Sequence, residues 1–347
     1  MNIEKLDKNM KVNTKIQEKN LCVYNIDDEP FELLGVQRDG DIYVRMDLNV
    51  AKSVSQSVYD LAKHTSGGRV RFKTDSKFIA LFCKVPAVGT MRHMPKTGQC
   101  GFDVFADGVF TAFVAPDDET PEEFEGIHYF PDKKMREIVI GFPLYNTTNH
   151  LYLGLENGAA VEKCPPYEKK VVFYGSSITQ GACASRPGSS YASITARSLG
   201  WDFLNLGFSG NAKGETAMAN YIKNLKMDVF VYDYDHNAPD SAHLEKTHKP
   251  FFDIIRAQNP SLPVIFMSRP DFHNGSLEDN IKRKAVIFNT FAKAMADGDK
   301  NVYFIDGNSL WGEYGYDCCT VDGCHPTDLG MWRMAEMVTN TIRRIKF

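Results

Sequence analysis

Ser177, Asp322 and His325 are the side chains of this sequence best suited to chemistry. Ser177 lies in Gly175-Ser176-Ser177-Ile178-Thr179-Gln180-Gly181, directly after the apolar run Val171-Val172-Phe173-Tyr174. A β-branched run that ends in a small-residue turn predicts a strand, a tight turn and then a helix. Such a turn presents a hydroxyl at the carboxyl end of a strand, beside the next helix's N-terminus, where backbone N–H groups can stabilise a developing oxyanion. A serine hydroxyl is a poor nucleophile until a base accepts its proton. Histidine suits that task, and a carboxylate on its other ring nitrogen fixes the tautomer and stabilises the imidazolium. Asp322-Gly323-Cys324-His325-Pro326 offers both groups on one loop. The chemistry expected of the three is acyl transfer from an ester.

Oxyanion donors must come from elsewhere in the chain. Two segments follow predicted strands: Asn205-Leu206-Gly207-Phe208-Ser209-Gly210-Asn211 and Tyr232-Asp233-Tyr234-Asp235-His236-Asn237-Ala238. A glycine N–H and an asparagine amide are both suitable donors.

The elements that must position these groups follow from hydropathy rhythm. Before Tyr167, short apolar segments alternate with turn residues: Asp41–Arg45, Arg69–Phe72, Phe78–Phe82, Gly101–Phe105, Glu137–Ile140 and His150–Leu153. This predicts antiparallel strands in a β-sandwich or jelly roll. After Tyr167 the rhythm becomes strand then helix. Strands are predicted over Lys170–Tyr174, Asp202–Leu206, Asp228–Tyr232, Pro263–Met267 and Val302–Ile305. Helices are predicted over Tyr191–Leu199, Leu244–Ala257, Leu277–Ala296 and Asp328–Lys346. That alternation predicts an α/β domain with a parallel sheet flanked by helices, with sites beyond the carboxyl ends of its strands. Cys164-Pro165-Pro166 marks the expected seam, giving domains of 1–165 and 166–347.

The order Ser, Gly, Asn, His and the local sequences around them resemble the SGNH (GDSL-type) hydrolases. Gly175-Ser176-Ser177-Ile178 is similar to that family's Gly-Asp-Ser-Leu/Ile block. Gly210 matches its glycine block, Asn237 its asparagine block, and Asp322 with His325 its terminal Asp-x-x-His block. The resemblance implies a three-layer, flavodoxin-like α/β/α domain. It also implies an oxyanion hole made by the N–H groups of Ser177 and Gly210 and the side chain of Asn237. Two positions depart from the pattern: Ser176 stands where the family has aspartate, and Asp235-His236-Asn237-Ala238 replaces Gly-x-Asn-Asp. In the first half, Asp39–Tyr43, Gly101–Phe105 and Phe142–Asn146 resemble the β-sandwich domain that precedes some SGNH esterases. Two-domain members are often carbohydrate acetylesterases, so the resemblance implies a small-molecule or oligosaccharide ester as substrate. Phe208 and Trp311, which flank the matching blocks, are the expected walls of an acetyl-sized pocket.

Composition narrows the alternatives. The formal net charge of the 347 residues is −4, so there is no basic excess to neutralise nucleic-acid phosphates. No apolar run approaches a membrane span, and Met1–Asn20 lacks a signal-peptide stretch, which gives a cytoplasmic expectation. The eight cysteines show no regular spacing and are expected as reduced thiols. The adjacent Cys318 and Cys319, with Cys324 and His325, make an awkward start for a tetrahedral metal site. The mechanism expected needs no cofactor and no metal. The competing readings are a lipid acyl hydrolase or thioesterase on the same scaffold, and a carbohydrate-binding protein that has lost catalysis.

Overall fold

The computed structural model describes residues 14–87, 89, 91–117, 122–270 and 276–347. The chain divides into two compact units. One holds residues up to Arg45 with Lys63–Pro166 and Arg186–Gly188; the other holds Met46–Ala62, Tyr167–Ser185 and Ser189–Phe347.

The first unit is antiparallel β, as its alternating sequence predicts. One sheet runs in the order Leu21–Asn25, His150–Glu156, Phe78–Lys84, Glu123–Tyr129. The other runs Val161–Glu162, Arg69–Thr74, Arg136–Gly141, Phe102–Ala106, Val109–Val114, with Glu32–Leu34 also pairing Arg69–Thr74. Successive strand residues point to opposite faces. Ile79, Leu81 and Cys83 therefore join Val70, Phe72, Phe102, Val104, Ile138 and Ile140 in one core between the sheets. Their neighbours Ala80 and Phe82 turn the other way and meet Val23 and Tyr152.

The second unit is the α/β part. Its five strands are all parallel, in the order Asp202–Gly207, Lys170–Gly175, Val229–Asp233, Val264–Met267, Val302–Ile305. In chain order this is 2-1-3-4-5, the flavodoxin-like arrangement, whose crossovers reverse direction on either side of its first strand. Val172, Tyr174, Leu206, Phe230, Tyr232 and Phe266 bury one face of the sheet together with Phe251, Phe252 and Ile255 of helix Ser241–Gln258. On the opposite face Phe173 meets the Tyr191 ring edge-on at 5.5 Å.

Helices Leu48–Val54 and Gln56–Ala62 were not expected in a stretch that precedes the predicted seam. Asp47 caps the first, accepting from the N–H groups of Asn49 and Val50. Met46, Ala51, Val58 and Ala62 are fully buried in the same core as Met218, Ala219 and Ile222 of helix Thr216–Ile222. Residues 46–62 thus serve the second unit although most of the first follows them in the chain.

One backbone contact sets the packing under the serine turn. A Cβ on Gly175 would lie 2.1 Å from Thr179 Oγ1 and 2.2 Å from the Asp233 carbonyl. Only a residue without a side chain lets the turn fold down onto the neighbouring strand. Gly175→Ala is expected to destabilise the protein by about 1–3 kcal/mol, as overpacking does, read as a lowered urea midpoint. An unchanged midpoint would refute this account of the turn.

Candidate active site

The turn that carries Ser177 is built by capping. Strand Lys170–Gly175 stops, Ser176 takes an extended backbone, and its side chain accepts from the Ile178 N–H at 3.2 Å. Serine is among the preferred N-caps, so at this departure from the family pattern Ser176 supports the turn, fully buried, by itself. Ser177 becomes the first residue of the short helix Ser177–Gln180 and is 9% exposed.

The far end of the chain meets it. His325 Nε2 lies 3.0 Å from Ser177 Oγ. The opposite ring nitrogen, Nδ1, lies 2.8 Å from Asp322 Oδ2. Asp322 Oδ1 accepts from the N–H groups of Cys324 at 3.0 Å and His325 at 2.7 Å. The loop is closed at its base, where Val321 N–H donates to the His325 carbonyl and Thr320 pairs with Pro326. The Pro326 carbonyl in turn accepts from Cys183 N–H, just beyond the helix that starts at Ser177. Burial opposes charge on Asp322. The hydrogen bonds from the His325 ring and from the His325 and Cys324 amides outweigh it and hold the carboxyl below its ordinary value. With Nδ1–H donated to an ionised Asp322, Nε2 would be the ring's acceptor, and it faces Ser177 Oγ.

The glycine block is tied to the same helix. Gln180 is fully buried, and its Oε1 accepts from Ser209 N–H at 3.1 Å. Asn205 Nδ2 donates to the Thr179 carbonyl at 2.7 Å. The turn closes through Asn211 N–H to the Phe208 carbonyl. Gly210 takes φ +70° there, a conformation that favours glycine. Asn237, in the 3₁₀ turn Asp235–Asn237, donates from Nδ2 to the same Phe208 carbonyl at 2.8 Å. Among the described residues the Gly210 N–H has no acceptor, and this is the amide's one donation. Both keep a donor in reserve.

The structure therefore draws Ser177, His325 and Asp322 into one line and ties the Phe208–Asn211 turn to both Gln180 and Asn237. Phe208 is a correction. It is fully buried in the core and supports the turn from beneath instead of walling a pocket. Trp311 is 8% exposed, with its Nε1 buried and unbonded among the described residues. His236 lies with Nδ1 3.8 Å from Cys324 Sγ.

Sequence reasoning missed the polar floor beneath the turn. Asp233 ends strand Val229–Asp233 and is 1% exposed. Its Oδ2 accepts from Tyr191 OH at 2.9 Å and Thr179 Oγ1 at 3.1 Å, whereas Oδ1 has no partner among the described residues. Burial pushes the carboxyl up to about 7, against the pull of His236 and of the two hydroxyls. An aspartate ending an apolar strand was visible, but nothing in the sequence said which hydroxyls would face it.

A flavodoxin-like sheet with a serine and an imidazole in hydrogen-bond contact beyond its carboxyl edge defines an SGNH-type hydrolase, an enzyme. The chain belongs to the GDSL-like lipase/acylhydrolase family, whose model matches residues 168–343. The N-terminal domain of SGNH-hydrolase-type esterases matches residues 23–161. Among solved structures, a candidate GDSL-like lipase from Bacteroides ovatus is 27% identical, with a TM-score of 0.83 over 94% of this chain and 99% of that one. A salicylyl-acyltransferase from a tetracycline biosynthetic pathway shares the fold at 20% identity, with a TM-score of 0.78 over 94% and 98%. An acetyl xylan esterase from the rumen bacterium Butyrivibrio proteoclasticus shares it at 14% identity, with a TM-score of 0.59 over 93% and 98%. No curated protein matches the chain.

The raised Asp233 carboxyl makes a pH-dependent prediction. A carboxyl whose folded value exceeds its unfolded one contributes its full stability below about 3.8 and loses it as pH rises through about 7. Asp233→Asn removes that loss, so its stability relative to the parent should rise between pH 4 and pH 8, by up to roughly 4 kcal/mol. Urea midpoints of both proteins across this range test it; a difference that stays constant with pH would rule it out.

Proposed function

We propose that the protein is a serine esterase that hydrolyses short-chain acyl esters, with O-acetyl groups on carbohydrates as its substrate class. The observation that carries the reading is the unbroken line from Ser177 Oγ through His325 to Asp322, with contacts of 3.0 and 2.8 Å. Ser177 Oγ attacks the ester carbonyl as its proton passes to His325 Nε2. The imidazolium is held by Asp322 through Nδ1–H. The tetrahedral oxyanion accepts from the N–H of Ser177, the N–H of Gly210 and the second N–H of the Asn237 amide. His325 then gives its proton to the leaving alcohol, removes one from the water that attacks the acyl-serine carbonyl, and returns it to Ser177 Oγ as the carboxylic acid departs.

The acetyl and carbohydrate parts of the proposal lean on the fold shared with the acetyl xylan esterase and on the N-terminal domain match. Lipid hydrolysis differs from it in the length of acyl chain the site must hold, and thioester hydrolysis in the thiolate that leaves.

Ser177→Ala is expected to abolish turnover of p-nitrophenyl acetate while leaving the melting curve intact; full activity in that variant would exclude the mechanism. Asp322→Asn should keep the loop but favour the wrong imidazole tautomer, lowering kcat by about 10²–10⁴. Steady-state rates with the purified variant decide this. Across a series of p-nitrophenyl esters, acetyl and propionyl should turn over fastest, because each added methylene needs burial the pocket must supply. An optimum beyond about six carbons would replace acetyl with lipid specificity. Acetate release from acetylated mono- and oligosaccharides, measured against simple alkyl acetates, tests the carbohydrate part.

A further inference from the structure

A buried arginine with no place in the chemistry above sits behind Asn237. Arg283 lies on the inward stripe of helix Leu277–Ala296, among Asn280, Ile287, Thr290 and Ala294, and is 4% exposed. Nη1 donates to the Asp235 carbonyl at 3.0 Å and to Asp235 Oδ1 at 3.3 Å. Nη2 donates to the Ala238 carbonyl at 2.9 Å. Nε donates to Asp279 Oδ2, one turn back on the same helix. The carboxylate it faces is more buried still, and its second oxygen, Asp235 Oδ2, accepts from Arg269 N–H at 3.0 Å beyond strand Val264–Met267.

The fork grips residues 235 and 238, one on each side of Asn237 and its neighbour His236. A guanidinium holds several acceptors in one rigid plane, which an ammonium cannot do. Asn237 has little else to fix it. Its N–H closes a short turn to the Tyr234 carbonyl, and its side chain spends one donor on the Phe208 carbonyl. The remaining amide N–H points where the segment points. Donors preorganised at the position of developing charge act in the transition state, and small misplacements of such groups are costly in rate.

We propose that Arg283 is a positioning residue for catalysis: through its ion pair with Asp235 and its bond to the Ala238 carbonyl it aims the Asn237 amide at the oxyanion. The inference rests on the oxyanion role given to Asn237 under the proposed function. It assigns Arg283 no contact with substrate. Its effect belongs in kcat, because an oxyanion donor is felt in the transition state and hardly in ground-state binding.

The test is a double-mutant cycle on kcat for p-nitrophenyl acetate, with Arg283→Lys and Asn237→Ala made singly and together. Lysine keeps the charge and loses the fork. Arg283→Lys is expected to lower kcat by about tenfold with KM within about twofold, since a misaimed donor costs part of the roughly 10²–10³ carried by a whole one. In the Asn237→Ala background the same change should alter kcat by less than about twofold, because nothing remains to be aimed. A residue that merely supports the fold would lower kcat equally in both backgrounds, and that result overturns the proposal. So does a cooperatively melting Arg283→Lys variant with unchanged kcat. If Arg283→Lys does not melt cooperatively, Asp235→Asn takes its place in the cycle, keeping the shape of the partner and removing its charge. A loss of kcat that vanishes in the Asn237→Ala background then supports the proposal, and an equal loss in both backgrounds, or none, overturns it. Failure of the underlying reading looks different. Activity in Ser177→Ala removes the serine mechanism, and full activity in Asn237→Ala removes the oxyanion role and this inference with it. Loss in both of those variants with additive Arg283 effects removes the inference alone.

Discussion

Backbone lies against backbone where strand Lys170–Gly175 ends, and the site depends on that closeness. Gly175 admits Thr179 Oγ1 and the Asp233 carbonyl where a methyl group would stand. The turn that follows can therefore drop between two strand ends instead of rising above them. Ser177 is carried to the edge of the parallel sheet, and Thr179 and Gln180 are carried down to Asp233 and Ser209. Each of these bonds needs the short helix to sit low. The switch in crossover direction on either side of the first strand leaves space above it, and His325 enters that space from the chain's far end.

Rigidity at the site comes from polar groups out of contact with solvent. Gln180, Asn205, Asp233, Asp235 and Arg283 are all buried, and each bonds to backbone or hydroxyl groups of a loop beyond the strand ends. Buried polar groups are expensive when left unmatched, so a matched set selects one arrangement over its neighbours. Three loops remote in sequence are held in one register by these bonds, and Phe208, Ala212, Tyr234 and Ala238 of two of them also share one apolar core. Of these five residues Asp233 carries the unmatched oxygen, and burial is what raises its carboxyl.

Much of this was legible in the residues. Parallel strands buried on both faces read as apolar runs, and Val171–Tyr174 and Val264–Met267 did so. Helix Leu277–Ala296 was bounded correctly because its amphipathic period is long and Ser276 caps it. Six strands of the first unit were visible by alternation, with ends that moved by up to three residues; Leu21–Asn25, Val109–Val114 and Glu123–Tyr129 were not read. The serine turn, the Asp-x-x-His loop and the segments around Gly210 and Asn237 were readable because each is local: a turn signal beside a strand. What was not readable is nonlocal. Helices Leu48–Val54 and Gln56–Ala62 are short and lie among strands, and only the core they fill explains them. Phe208 looked like a pocket wall because it adjoins Gly210, but its side chain points the other way. Arg283 is one charged residue on the inner face of an otherwise ordinary amphipathic helix, and its partners are about 45 residues away in sequence.

The excursion of residues 46–62 has a further consequence for how this chain can be divided. Neither unit corresponds to an uninterrupted piece of polypeptide. A fragment that begins at Tyr167 leaves behind Met46, Ala51, Val58 and Ala62, and the apolar surface they cover on Met218, Ala219 and Ile222 would meet water. Such surfaces drive association. No single cut in the chain therefore separates the two units, and recombination that exchanged the second unit alone would have to carry this early segment with it.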